Sequence, residues 1–426
     1  GFDVANSCRF NKASSDYLNK TLGTPTNNRK WSFSFWVKRA GSGNQMITST
    51  NSSVSYTYFG TDQFAFEQYS GGFQYRLKTN RLFRDTAWYH IVIAVDTTQG
   101  TDTNRVKIYV NGVQETSFEF ATYPSQNFDT SFNSAVSHFI GREGSTYFDG
   151  YLSEVVLIDG QQLEPDQFGE FDSDSNIWKP IDVSGLTFGD NGFYLDYEDS
   201  SALGADVSGN GNDFTVNNLT SIDQSTDTCT NNFATWNSLA SSSQATLSEG
   251  NLKAVGQGTD DGNVFCNLVP KTGKWYAEFK ITKANDGIPT VGIRQESSGF
   301  RLLNGTSGAV GYYNYEASVR PDGQRYTNNS TGSWGGSTFA TGSIVGIALD
   351  CDNGAGYISV NGTYMNSGNP TSGASKTGAF ITWTEAQAQY GGQTFASRIY
   401  TTSSAIEANF GSPPYAISSG NTDGNG

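Results

Sequence analysis

Carboxylates, imidazoles and clustered oxygen ligands are the groups that could do chemistry here, and their spacing argues against catalysis. Retaining glycoside hydrolysis needs two carboxyl groups ~5–5.5 Å apart, one as nucleophile and one as acid. On a strand that means acidic residues at i and i+2 or i+4, because alternate side chains share a face. The apolar run 151–158 offers only Glu154, and Asp159 follows it in the turn with the wrong alternation. Glu170, Asp172 and Asp174 have the spacing, yet their turn-rich surroundings read as a solvated acidic loop. Only 2 histidines occur: His90 sits between Trp88 and Val92 as a packing residue, and His138 precedes another strand. There is no GxSxG nucleophile motif and no His-rich ligand pattern. The chain is read as non-enzymatic, with a polysaccharide depolymerase as the third-ranked alternative.

Oxygen ligands are better placed. The phrase ADVSGNGNDF brings Asp206, Asn210, Asn212 and Asp213 together among glycines, and Ca2+ takes about six to eight such oxygens. An Asx-turn loop, in which these side chains bond their own backbone, is the competing reading. Asp260 and Asp261 with Asn263 form a second candidate, with a solvated turn as its competitor. Sugar binding instead needs an aromatic face for C–H groups and planar polar groups for hydroxyls. Trp334 in GSWGGS, the run Tyr312, Tyr313, Asn314 and Tyr315, and Tyr147 with Phe148 and Asp149 in STYFDG combine the two. Trp334 has little evident core role, so it is the favoured contact. The tyrosine run reads equally as a strand with alternate rings buried, and the Tyr147 phrase reads as turn packing.

These residues must be held by β-strands, and the chain states its main strand pair twice. IVIAVD and VKIYVNG fall within 91–112, and IVGIALD and GYISVNG within 344–362. Val106, Ile108 and Val110 point one way while Lys107 and Tyr109 point the other. Asn111 with Gly112, and Asn361 with Gly362, predict type I′ turns, which need φ > 0 at both central residues. Trp31, Phe33 and Phe35 likewise oppose Ser32, Ser34 and Trp36. Further strands are expected at 8–22, 56–66, 73–77, 88–96, 139–140 and 151–158. A second set is expected at 263–268, 274–282, 290–294, 309–315, 344–350, 356–360 and 406–410. The fold class is all-β: two tandem jelly-roll sandwiches, 1–180 and 249–426, joined by a partly ordered polar bridge over 181–248.

Composition agrees. The 426 residues include 49 Gly, 14% aromatics and only 2 Met, a turn-rich and strand-rich balance. A net charge of −15 argues against nucleic acid and anionic membranes as partners. No apolar run approaches the ~18–20 residues that cross a bilayer, so no membrane insertion is expected. Cys8, Cys229, Cys266 and Cys351 are scattered and read as unpaired, buried thiols. A start at Gly1 and an SSGNTDGNG ending suggest trimmed ends.

WSFSFWVKR, DTAWYHIVIAVD, RVKIYVNG and FIGREGSTYFDGYLSEVVLIDGQQL resemble a laminin-G-like, concanavalin A-type domain. GKWYAEFKI, GSIVGIALDCDNGAGYISVNG and EANFGSPP resemble a SPRY domain. The order of these phrases, with SGNGNDFTVNNLT between them, is similar to large structural proteins of tailed phages, especially marine ones. In such proteins the SPRY unit continues past the point where this chain stops. The resemblance implies a virion-surface fibre, tail or capsid-decoration protein. Its expected partners are other virion proteins, further copies of itself and a cell-surface polysaccharide. A secreted microbial adhesin or filament subunit is the alternative.

Overall fold

The computed structural model describes residues 1–51, 54–258, 260–284, 288–295, 309–313, 316–384 and 392–415. They form two compact units that divide between Asn232 and Phe233. Both are β-sandwiches, and the helical turns among the described residues are three-residue 3-10 segments.

In the first unit one sheet runs Val113–Gln114, Val106–Val110, Trp88–Asp96, Lys30–Arg39, Gly150–Asp159, Ser7–Phe10 and Gln224–Ser225, with Phe193–Leu195 also on Gly150–Asp159. The facing sheet runs Phe118–Thr122, Phe73–Leu82, Gln63–Tyr69, Ser55–Gly60, Gln45–Thr50, Ser137–Ile140, Tyr17–Thr21 and Thr215–Asn217. Alternation sends Trp31, Phe33, Phe35, Val106, Ile108 and Val110 into the core between them. The opposite parity of the first sheet is buried too. Val92, Ala94, Tyr109, Val156 and Ile158 pack under Phe168, Val183 and Phe188, while Trp36, Trp88 and Tyr151 meet Trp178. We call this the covered sheet. The facing sheet has no such second apolar cluster on its outer side among the described residues, and we call it the open sheet.

The covering layer is shared: Phe168 and Trp178 precede the segment read as a bridge, and Val183, Phe188 and Tyr194 come from it. Up to Asn232 that segment belongs to the first unit. Phe193, Leu195, Tyr197, Leu203, Phe214 and Leu219 join the main core. Two buried ion pairs fasten its end: Lys38 Nζ to Asp227 Oδ2 at 2.6 Å and Arg9 Nη2 to Asp223 Oδ1 at 3.2 Å. Trp88 Nε1 donates to the other Asp227 oxygen at 3.0 Å. The remainder belongs to the second unit, where Ala245–Ser248 pairs with Lys253–Gly256.

The second unit packs one sheet, centred on Lys274–Ala284, Ile344–Asp350, Ala355–Val360 and Ser404–Asn409, against another built on Gly262–Phe265, Thr290–Gln295, Ala317–Val319 and Gln393–Ile399. The repeated phrase is one structural device used in both units. Asn111 and Gly112 have φ of 48° and 77°, Asn361 and Gly362 of 48° and 80°. Each Asn side chain accepts the N–H that opens or nearly opens the partner strand, from His90 at 2.8 Å and Ile344 at 2.9 Å. The aspartates ending the first strand of each pair also match: Asp96 meets Lys30 at 3.3 Å and Asp350 meets Lys274 at 2.6 Å.

Two strand expectations are corrected. Residues 8–22 form two strands, Ser7–Phe10 and Tyr17–Thr21, because Asn11 and Asp16 close a turn between them (Asn11 N to Asp16 Oδ2, 2.9 Å). Residues 309–313 form a turn, with Tyr312 N bonding Ala309 O at 2.9 Å, and the strand begins at Ala317.

Candidate functional site

Among the described residues of the first unit, no other apolar layer covers the outward side chains of the open sheet. Leu18 and Ile140 point into the core, so their neighbours Tyr17 and Phe139 point out. Ile140 lies opposite Leu18 and Phe139 opposite Asn19, which sets Tyr17 diagonal to Phe139 with ring centroids 6.2 Å apart. Just beyond, Arg142–Glu143 pairs with Thr146–Tyr147 as a small hairpin. It brings Tyr147 to 6.4 Å from Tyr17 and sets the Arg142 guanidinium 4.6 Å from the Tyr17 ring. Arg142 is also 5.7 Å from Phe139 and 5.9 Å from Tyr147.

A second group lies toward the other edge of the same face. Tyr75 and Leu77 point inward, so Arg76 and Lys78 point outward. Arg76 sits 3.9 Å from the Phe120 ring and 4.6 Å from Phe73, and its Nε meets Glu67 at 3.1 Å. Tyr69, Phe73 and Phe120 are 47%, 43% and 39% exposed, unusual for rings of that size. Burial and the nearby Glu67 carboxylate push the Tyr58 hydroxyl up to about 12.

Of the residues singled out in the sequence, Tyr147 belongs to this face. Asp149, two residues on, is buried and its carbonyl accepts the Ala40 and Gly41 N–H groups. Trp334 does have a core role. It is half-buried against the second unit's core, 5.9 Å from Phe380, which corrects the reading of an unpacked loop ring. Tyr312 and Tyr313 are half-buried and touch edge to face at 5.1 Å; Asn314 and Tyr315 lie outside the described residues.

The oxygen-ligand loop takes the Asx-turn form. Asp206 accepts N–H groups from Tyr194, Ser208 and Asn212 at 2.8–2.9 Å, and Asp213 accepts that of Asp206. Asn210 and Asn212 turn their amides to the carbonyls of Gly189, Asp190 and Gly192. No group of three or more His, Cys, Asp or Glu among the described residues could hold a metal ion. Asp261 is buried and meets Arg398 at 2.7 Å, which replaces the solvated-turn reading, and Asn263 is buried two residues on, within the strand Gly262–Phe265.

The carboxylates considered for catalysis each bond groups of their own fold. Glu154 sits at a bulge with φ of 50°, under the covering layer, and accepts the Tyr194 hydroxyl at 2.5 Å. Burial, with Asp196, Glu198 and Asp182 nearby, raises its carboxyl to about 8. Asp159 ends its strand, contrary to the expected turn, and gathers the N–H groups of Thr26, Asn27 and Asn191 and the Asn133 amide. Asp172 closes its own loop, and Lys179 bridges it to Glu170. His90 stacks between Trp36 and Trp178, and burial lowers it to about 3. His138 lies within its strand rather than before it and is lowered by burial to about 4. All four cysteines are free.

Residues 12–167 match the Laminin_G_3 family model, described as the concanavalin A-like lectin/glucanases superfamily. A search of curated proteins finds no match. Among solved structures, the SPRY domain of human HERC1 is similar at 13% identity and a TM-score of 0.31, covering 41% of this chain and 96% of that one. A Bacteroides ovatus protein assigned as a carbohydrate binding protein is similar at 16% identity and a TM-score of 0.38, covering 51% of this chain and 59% of its own. A heptameric SAP-like pentraxin from Limulus polyphemus is similar at 15% identity and a TM-score of 0.29, covering 39% and 82%.

Proposed function

We propose that this chain is a non-enzymatic adhesion protein that binds cell-surface glycan through the open sheet of its first unit. The observation that carries this reading is the asymmetry of that unit. Its covered sheet is buried on both faces, whereas the open sheet turns Tyr17 and Phe139 outward beside the hairpin that carries Arg142 and Tyr147. Rings fixed on a sheet lose little freedom on binding and present a flat face to a sugar's C–H groups. The match of residues 12–167 to a family of lectins and glucanases supports a carbohydrate ligand. Binding is favoured over hydrolysis because Glu154 is itself enclosed, bonded to the Tyr194 hydroxyl and closed to a polysaccharide. The order of sequence phrases favours display in many copies on a phage-like particle, where weak contacts gain from effective concentration.

Two measurements test this. Glycan-array binding should fall about tenfold on Tyr17→Ala or Tyr147→Ala, the order of one lost aromatic contact, with the melting temperature kept. Undiminished binding by both variants would remove the platform. Electron microscopy of native material should find the protein on a head, tail or fibre; free filaments or envelope patches would favour a secreted adhesin.

A further inference from the structure

The open sheet and the small hairpin beside it carry two guanidinium groups seated on aromatic rings, Arg76 and Arg142, and only Arg76 is neutralised. Arg76, between Phe73 and Phe120, meets Glu67 at 3.1 Å. Arg142 rests on Tyr17, Phe139 and Tyr147, and its Nε donates to the Gly144 carbonyl at 2.8 Å. Among the described residues no carboxylate lies within ion-pair distance of it. That is notable in a chain with 41 acidic and 26 basic residues. Glu143, its neighbour, points to the other side of the hairpin by alternation. Asp16 and Asp149 are buried, and Asp16 already accepts the Asn11 N–H.

We propose that Arg142, on its bed of Tyr17, Phe139 and Tyr147, binds the carboxylate of a uronic acid in a surface polysaccharide. The inference rests on the glycan reading above and names the class of sugar. A guanidinium fixed through Nε and by stacking presents its two Nη groups as a planar fork, which matches a carboxylate bidentately. In a uronic acid the carboxylate is bonded directly to the sugar ring. A ring stacked on Tyr17 or Tyr147 therefore brings its carboxylate beside Arg142 without an intervening flexible arm. Because the stack already holds the guanidinium, little side-chain entropy is lost on binding. The net charge of −15 does not forbid this, since fields from distant carboxylates are screened beyond ~8 Å at physiological salt.

The test is an array read with the intact protein. Pectate, alginate and hyaluronan are printed beside their carboxyl-reduced counterparts and beside dextran sulfate. The acidic polymers should be bound about tenfold more tightly than the reduced ones, the scale of one charge-assisted fork. Arg142→Gln should bring the affinities for acidic and reduced polymers together, and Arg142→Lys should restore the preference in part. Equal binding of acidic and reduced polymers by the unsubstituted protein would overturn the inference and leave the glycan reading standing. A preference for dextran sulfate without one for uronates would also overturn it. Binding to none of the polymers would remove both readings together.

Discussion

Three buried titratable side chains in the first unit pull its stability in opposite directions with pH. His90 and His138 are enclosed and neutral, with values lowered to about 3 and about 4. Their contribution is complete above the unfolded value of ~6.5 and is lost as the pH falls toward those lowered values. Trp178 Nε1 already donates to His90 Nδ1 at 2.9 Å, so a second proton there would face a donor. Glu154 behaves in the reverse sense. Raised to about 8, it is most stabilising below ~4.5 and loses that contribution as the pH rises through about 8. Glu154→Gln keeps an acceptor for the Tyr194 hydroxyl but removes the charge. Melting curves between pH 5 and pH 9 should therefore show a smaller alkaline decline in this variant, by a few kcal/mol at the upper end. An unchanged slope would mean that the carboxyl ionises freely in the folded protein.

At the scale of elements, the end of the covering layer hangs on charges that burial makes costly to separate. Lys38 is fully enclosed, and Asp227→Ala would take the carboxylate from a buried ammonium, a loss of about 3–5 kcal/mol. The exposed Arg29–Asp129 pair is nearly as close, at 2.7 Å, yet Arg29→Ala should shift the urea midpoint far less, because solvent screens both charges. Urea titrations of both variants decide the order, and equal midpoints would show that Asp227 does not hold the layer. Which elements were legible in the sequence follows the same physics. Trp88–Asp96, Val106–Val110 and Ile344–Asp350 carry dense apolar runs or strict alternation and were found with their ends. Much of the bridge was read as polar because Leu203, Phe214 and Leu219, which enter the main core, come singly, between turns, with no period. Trp334 looked unpacked because Phe380, the ring it touches, is supplied by a distant loop. The Arg142 group joins Tyr17 to Phe139 and Tyr147 from two places in the chain, residue 17 and residues 139–147. The available signal was an aromatic beside an inward aliphatic, Tyr17 next to Leu18 and Phe139 next to Ile140.

For the whole molecule, the decisive question is where the first unit ends. A chain cut at Pro180 would keep most strands of both sheets but lose six side chains from the main core: Phe193, Leu195, Tyr197, Leu203, Phe214 and Leu219. At about 1.5–3 kcal/mol for each buried side chain, that loss alone is comparable to the ~5–15 kcal/mol stability of an ordinary domain. It would also lose the Lys38–Asp227 and Arg9–Asp223 pairs that fasten the segment. A chain cut at Asn232 keeps all of these. The shorter fragment should therefore fail to unfold cooperatively or should aggregate, whereas residues 1–232 should melt in one sharp transition. Because Tyr17, Phe139, Arg142 and Tyr147 all lie in that span, the longer fragment should also retain the glycan binding of the full chain. Calorimetry and array binding on the two fragments read both outcomes. A cooperative, binding-competent 1–180 would show that the covering layer is dispensable and that the covered sheet tolerates an open outer face.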